Sequence, residues 1–227
     1  MIRVIDDNFL FADEWETVIS KDVNDPESLL FYASNAPDGM LVTNVGDKEY
    51  AGGLLGSSRL IPSMPEIEFS AFEFSIEFRF SGDTAYQMAR HELDLKVCFK
   101  SAPDSLTPIK NVANWSTQWN VDTGEIDINN ATGWVGTGIK PIPFEPDVWH
   151  QYWFSGQWNA ETETNSICVI GWDDVSIPIK EELQNVSWEV TNWQRDARVQ
   201  IQNEMFKPGT NLVTYRNIKL TWMEINK

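Results

Sequence analysis

Arg198, Gln200, Gln202 and Glu204 occur at every second position of the segment ARVQIQNE, with Val199 and Ile201 between them. On an extended chain successive side chains point to opposite faces, so the four polar residues would share one face and the two aliphatics the other. A carboxamide donates and accepts hydrogen bonds at once, which suits it to a row of sugar hydroxyls. A second row stands in RHELDLKVCFK, where Arg90, Glu92, Asp94, Lys96, Cys98 and Lys100 alternate with His91, Leu93, Leu95, Val97 and Phe99. Placed on one concave sheet face, the two rows would form a polar groove; the alternative is an ordinary solvated face. Trp115, Trp119, Trp134 and Trp158 lie in turn-rich segments, where an exposed indole would offer a sugar ring a flat surface and a buried one would serve local packing.

The catalytic options are narrow, because the chain has only two histidines. His91 falls on the apolar side of its segment, as a core residue would, while His150 opens WHQYWF at a strand end. Neither has zinc-site spacing, and there is no G-x-S-x-G or glycine-rich phosphate loop, so hydride and phosphoryl transfer are poor candidates. Glycoside hydrolysis needs two carboxylates across the scissile bond. Glu92 with Asp94 is the neatest pair, but among 34 acidic residues a pair can always be nominated. The E-x-D-x-x-E arrangement of laminarinase-like hydrolases is absent.

The elements that would carry these residues are strands. In FEFSIEFRF, Phe72, Phe74, Ile76, Phe78 and Phe80 alternate with Glu73, Ser75, Glu77 and Arg79, a period of two with one apolar face. This segment and RHELDLKVCFK are expected to run antiparallel, with Ser81-Gly82-Asp83 beginning the turn. WHQYWFSG, SICVIGW, VSWEV, ARVQIQNE and RNIKLTW are short, rich in aromatic or β-branched residues and bounded by Gly, Pro, Asn or Asp. In the last, Ile218, Leu220 and Trp222 would face a core. Seven or more strands without a long helix predict an all-β, two-sheet antiparallel sandwich. A helical turn is allowed between Asp22 and Ser34, and the prolines from Pro103 to Pro108, with Pro141, Pro143 and Pro146, belong in loops or at edges. Residues 1–227 read as one domain, within the length that sandwiches reach.

Composition sets the outer limits. Hydrophobic residues form 42% of the chain, with 11 Trp, 12 Phe and 5 Tyr, enough to fill a space between two sheets. The 34 acidic residues against 17 basic ones give a formal charge of −17, which repels nucleic acid and anionic membranes and counts against a uronic-acid polymer unless Arg90, Lys96 and Lys100 act locally. No apolar run reaches membrane-spanning length, and MIRVIDDNFLFADEWE is not a secretory signal. The expected location is extracellular if a signal has been removed from this numbering, and otherwise cytoplasmic. Cys98 and Cys168 could form one bridge or remain two thiols. The sequons at Asn114, Asn130 and Asn185 are about as many as chance supplies.

The succession FEFSIEFRF, WVGTGIKPIPFEPDVWHQYWF and ARVQIQNEMFKPGTNLVTYRNIKLTW resembles fungal secreted concanavalin-like jelly rolls, including glucuronan lyases and relatives that look non-catalytic. The resemblance covers the last two thirds of the chain. It implies a polysaccharide lyase that removes the proton beside a uronic carboxyl group and eliminates the 4-linked sugar. In that scheme Gln202, Gln200 or Arg90 neutralises the carboxylate, His91 or His150 is the base and Tyr215 the acid; Trp115 and Trp119 are the platforms expected, from their turn-rich surroundings, to bind sugar. The rival is a lectin-like module with the same groove and no turnover. The two differ in where the histidines stand: in the groove beside a tyrosine for the enzyme, buried or remote for the binder. The resemblance also implies a structural calcium between the first and last strands, held by Asp6, Asp7 and Asn217, unless Asp6-Asp7-Asn8 is simply a turn. No organic cofactor is expected, the partner is a polysaccharide or other glycan, and the chain is expected to be a monomer.

Overall fold

Phe72, Phe74, Ile76, Phe78 and Phe80 are all buried, as their alternation requires, and four of them have no exposed surface at all. Removing such a side chain from water contributes about 1.5–3 kcal/mol, so this one strand anchors the core. It belongs to a computed structural model that describes residues 2–9, 15–19, 30–46, 52–57, 69–81, 88–99, 111–120, 123–130, 133–140, 145–159, 164–184, 198–205 and 209–225.

The strands, numbered along the chain, form the expected two-sheet antiparallel jelly-roll sandwich. The eight-stranded sheet runs β13 (Val175–Gln184), β12 (Thr164–Trp172), β11 (His150–Asn159), β6 (Phe69–Phe80), β15 (Gly209–Ile225), β4 (Gly39–Gly46) and β3 (Leu30–Ala36). Its eighth strand, β1 (Ile2–Phe9), pairs with the C-terminal half of β15, beyond the stretch that β4 covers. The seven-stranded sheet runs β10 (Gly133–Gly136), β9 (Glu125–Asn130), β8 (Asn111–Asn120), β7 (Met88–Phe99), β14 (Arg198–Met205), β5 (Gly52–Ser57) and β2 (Trp15–Ile19).

Among the described residues, side-chain hydrogen bonds tie the sheets together through the core. Tyr152 donates its hydroxyl to Thr117 Oγ1 at 2.7 Å, Trp115 Nε1 donates to the Ser166 carbonyl at 3.1 Å, and the Asn203 amide meets the Tyr215 hydroxyl at 2.8 Å. Phe72 packs edge-on against Trp115 with ring centroids 5.0 Å apart, and Trp119 meets Trp172 at 5.1 Å. Aromatic pairs of this kind add to area burial. The turn joining β3 to β4 depends on Gly39, whose φ is 144°; a Cβ there would stand 2.1 Å from the Tyr215 carbonyl oxygen.

Several expectations change. FEFSIEFRF and RHELDLKVCFK are not a hairpin: β6 lies in one sheet and β7 in the other. An apolar face can be turned inward from either sheet of a sandwich, so the alternation fixes which face is buried and not which sheet carries the strand. Leu30 to Ser34 belong to strand β3, while the rest of the stretch from Asp22 lies outside the described residues, as do VSWEV and the prolines at 103, 108, 141 and 143. Strand β13 holds a proline, Pro178, at the outer edge of its sheet, where a missing amide hydrogen is tolerated.

Candidate functional site

The two polar rows read from the sequence are direct neighbours. Strand β14 pairs with β7 so that Arg198 lies opposite Lys96, Gln200 opposite Asp94, Gln202 opposite Glu92 and Glu204 opposite Arg90. Directly paired residues share a sheet face. The face is the one turned away from the other sheet, because the intervening Val199, Ile201 and Asn203 are buried. The same register extends outward on both sides. Gln202 and Glu92 continue through Gln118 to Asp127 on one side and through Leu54 to Val18 on the other. Gln200 and Asp94 continue to Ser116 on β8 and to Gly56 and Glu16 beyond β14. These two middle rows hold Asp127, Glu92, Asp94 and Glu16 and no basic residue; the cations stand in the flanking rows, Arg90 beside Glu204 and Lys96 beside Arg198.

At the β8–β9 end the side chains are organised. Gln118 Nε2 donates to Asp127 Oδ2 at 3.1 Å and Asn120 Nδ2 donates to the same oxygen at 3.3 Å. Ser116 and Gln118 are 1% and 2% exposed, yet Ser116 Oγ and Gln118 Oε1 have no hydrogen-bond partner among the described residues. One row over, Trp134 on β10 lies opposite Asn129 and is partly exposed. The loop beyond is pinned beneath it: Thr137 Oγ1 donates to the Ile126 carbonyl at 2.6 Å, and the Gly138 amide donates to Glu125 Oε1.

The lyase set is not assembled on this face. Tyr215 has no exposed surface, and its hydroxyl is bracketed by the Asn203 amide, 2.8 Å from Nδ2 and 3.0 Å from Oδ1. Burial pushes its phenol well above the usual tyrosine range, only partly offset by Asn203. A proton donor must reach a sugar, and this one is sealed between the sheets. His91 stands opposite Asn203 and Trp119, both buried, so its register position is on the core side as its alternation indicated. His150 is also buried, in the other sheet, with Nδ1 2.9 Å from Asp173 Oδ2 and its ring against Phe78 and Trp172. Asp173 has a φ of 49°, and its Oδ1 accepts from the Gln151 amide at 2.8 Å, so this dyad fastens the β12–β13 turn onto β11. Trp115 and Trp119, read as possible sugar platforms, are core residues at 0% and 6% exposure; the asparagines and serine around them suggested turns, but both indoles alternate inward along β8. Trp158 lies in β11, and Arg90, Gln200 and Gln202 keep register positions on the outer face.

The calcium triple does not converge. Asp6-Asp7-Asn8 is strand, not turn, and its register splits the two acids: Asp7 lies opposite buried Leu220 and Asp6 opposite Thr221 on the other face. Asn217 sits four residues along β15 from Thr221, about 13 Å away at strand rise, in a bulge where its φ is 50°. Its amide donates to Glu77 Oε1 at 2.7 Å. Among the described residues no group of three or more His, Cys, Asp or Glu is close enough to hold a metal.

The outer face of the eight-stranded sheet has its own features. Arg216 lies 3.8 Å above the Trp149 ring and donates from Nε to Glu77 Oε2 at 2.6 Å, while Arg79 reaches the same indole at 4.8 Å and pairs with Asp38. Burial would raise the Glu77 carboxyl, but hydrogen bonds from Asn217 and Arg216 and the Arg216 charge outweigh it and leave the group below its ordinary value. Cys168 is a free thiol, half-buried at a bulge in β12, and burial pushes its ionisation up. Cys98 belongs to β7 in the opposite sheet.

No family model matches the chain, and no curated protein matches it. Solved structures overlay on it along nearly their whole length. The lectin UEA-II complexed with galactose is 9% identical, covering 98% of this chain and 99% of that one at a TM-score of 0.49. Alginate lyase vAL-1 from a Chlorella virus is 12% identical, covering 94% of each chain at 0.48. A conserved carbohydrate esterase from the Shiga toxin-encoding bacteriophage phi24B is 14% identical, covering 94% and 90% at 0.48. At that depth of overlay the likeness says nothing of what this chain binds.

Proposed function

We propose that the chain is a glycan-binding module that holds its ligand on the outer face of the seven-stranded sheet and does not cleave it. The observation that carries this is the separation of parts. The hydrogen-bonding residues occupy that face in register, whereas Tyr215 and His150 are buried and His91 stands at a core-facing register position. β-Elimination needs a base and an acid within hydrogen-bond reach of the sugar being cleaved. Binding needs only amides and carboxylates arrayed along the chain of hydroxyls, and Gln200, Gln202, Glu92 and Asp94 occupy two adjacent rows for that purpose.

The test is a binding screen over neutral and acidic polysaccharides with wild-type protein, Gln200→Ala and Gln202→Ala. The expected result is measurable affinity for at least one glycan, lost in either variant with the thermal midpoint unchanged, because both substitutions fall on the outer face. Absence of binding to every glycan, or retention of full affinity in both variants, overturns the proposal.

A further inference from the structure

We infer that the sugar-recognition subsite of this face lies at its β8–β9–β10 end and selects against an anionic glycan, with Asp127 as the acceptor for a sugar hydroxyl and Trp134 as the stacking surface. This deepens the glycan-binding reading above and rests on it.

The geometry at Asp127 is that of a prepared acceptor. Its Oδ2 takes two amide donors, Gln118 Nε2 and Asn120 Nδ2, which fixes the carboxylate plane and leaves Oδ1 without a donor among the described residues. Gln118 is turned by its bond to Asp127, so that its own Oε1 remains unpaired among the described residues although the residue is 2% exposed. Ser116, two residues back on the same face, is in the same condition at Oγ. Native proteins pair buried polar atoms with few exceptions, and an exception calls for a ligand, water or functional reason. The acceptor left for a sugar hydroxyl is Asp127 Oδ1, while Gln118 Oε1 and Ser116 Oγ stand behind it, buried, where an ordered water would complete their bonding.

The surroundings supply the rest. Asp127 is opposite Gly136 on β10, where the Glu125 carboxylate takes the space a side chain would fill, and Trp134 flanks that position one row away, partly exposed. An apolar sugar face laid on an indole while its edge hydroxyls reach a carboxylate is a chemically complete recognition unit. Its charge sets the ligand class. Asp127, Glu92, Asp94 and Glu16 occupy the two middle rows with no basic residue among them, on a chain of formal charge −17. A uronate would place its carboxylate among like charges, a repulsion that a neutral hexose does not meet.

The experiment titrates wild type, Asp127→Asn, Trp134→Ala and Gln202→Ala with neutral gluco- and manno-oligosaccharides, oligoglucuronate and chitosan oligomers by calorimetry. Asn is isosteric with Asp but offers a neutral amide where the hydroxyl donates, so the bound neutral oligosaccharide should weaken roughly tenfold or more, and Trp134→Ala should weaken it similarly. Deoxy analogues of that oligosaccharide should lose a like factor with wild-type protein, which keeps the subsite testable if Asp127→Asn fails to fold. Tighter binding of oligoglucuronate than of every neutral and chitosan oligomer overturns the charge assignment. Loss of binding in Gln202→Ala with Asp127→Asn and Trp134→Ala both within twofold of wild type overturns the subsite while leaving the glycan-binding face intact. No binding of any oligomer by wild type removes the face as well.

Discussion

Replacing Tyr215 with Phe separates the structural account from a catalytic one. The ring keeps its packing, since Tyr215 is fully buried, and only the hydroxyl is lost. That hydroxyl is bracketed by Asn203 Nδ2 at 2.8 Å and Oδ1 at 3.0 Å, and Asn203 is itself 1% exposed. The variant therefore leaves a buried amide without its partner, which costs about 1–3 kcal/mol. For a chain of this size about 2 kcal/mol corresponds to a fall of about 4–8 °C in the thermal midpoint. Differential scanning calorimetry on both proteins reads this directly. Adding Asn203→Leu should recover much of the loss, because removing both partners of a buried hydrogen bond is far cheaper than removing one. Glycan binding should be unchanged throughout. A midpoint within about 1 °C of wild type would refute the reasoning, since it would mean that the hydroxyl is not desolvated. If Tyr215 were instead a proton donor to substrate, the variant would lose turnover and keep its stability.

Phe74→Ala in the middle of β6 should cost about 3–5 kcal/mol by denaturant titration, because the residue has no exposed surface and its removal opens a cavity; a loss below about 1 kcal/mol would place that face outside the core. Gly39→Ala should destabilise by more than about 1 kcal/mol, since a Cβ would collide with the Tyr215 carbonyl at a φ of 144°. Glu77 has a folded carboxyl held below its unfolded value, so its contribution to stability is present above the ordinary carboxylate range and is lost as pH falls through the lower folded value. Thermal midpoints measured down through that range should fall less steeply in Glu77→Gln than in wild type, and parallel curves would contradict this.

The strands most legible in the sequence were those with one strictly alternating apolar face. Phe72 to Phe80 and Val199 to Ile201 could be assigned to the core because a period of two admits no other burial. The polar rows on β7 and β14 were legible for the same reason, but their adjacency was not. Strand order depends on how the whole chain winds, and β7 is drawn away from its sequence neighbour β6 to the opposite sheet. Strand β8 was missed despite a signal of its own: Trp115, Thr117 and Trp119 alternate with Ser116, Gln118 and Asn120, but that polar set reads as turn chemistry, and its residue types do not reveal that Ser116 and Gln118 are buried. Asp127, between Ile126 and Ile128, carried the same alternation over a strand too short to stand out. Tyr215 and the calcium triple were placed by family likeness, and neither burial nor register can be read from a residue type.

The central claim is that this face holds a glycan without cutting it, and one measurement bears on it most directly. Wild-type protein is incubated with each of a panel of neutral and uronic polysaccharides, with bound ligand, ultraviolet absorbance of unsaturated product and new reducing ends followed in the same samples. The account predicts saturable binding to a neutral polysaccharide with no rise in either product signal on any member of the panel. Accumulation of an unsaturated product from a uronic polymer, or of reducing ends from a neutral one, would contradict it.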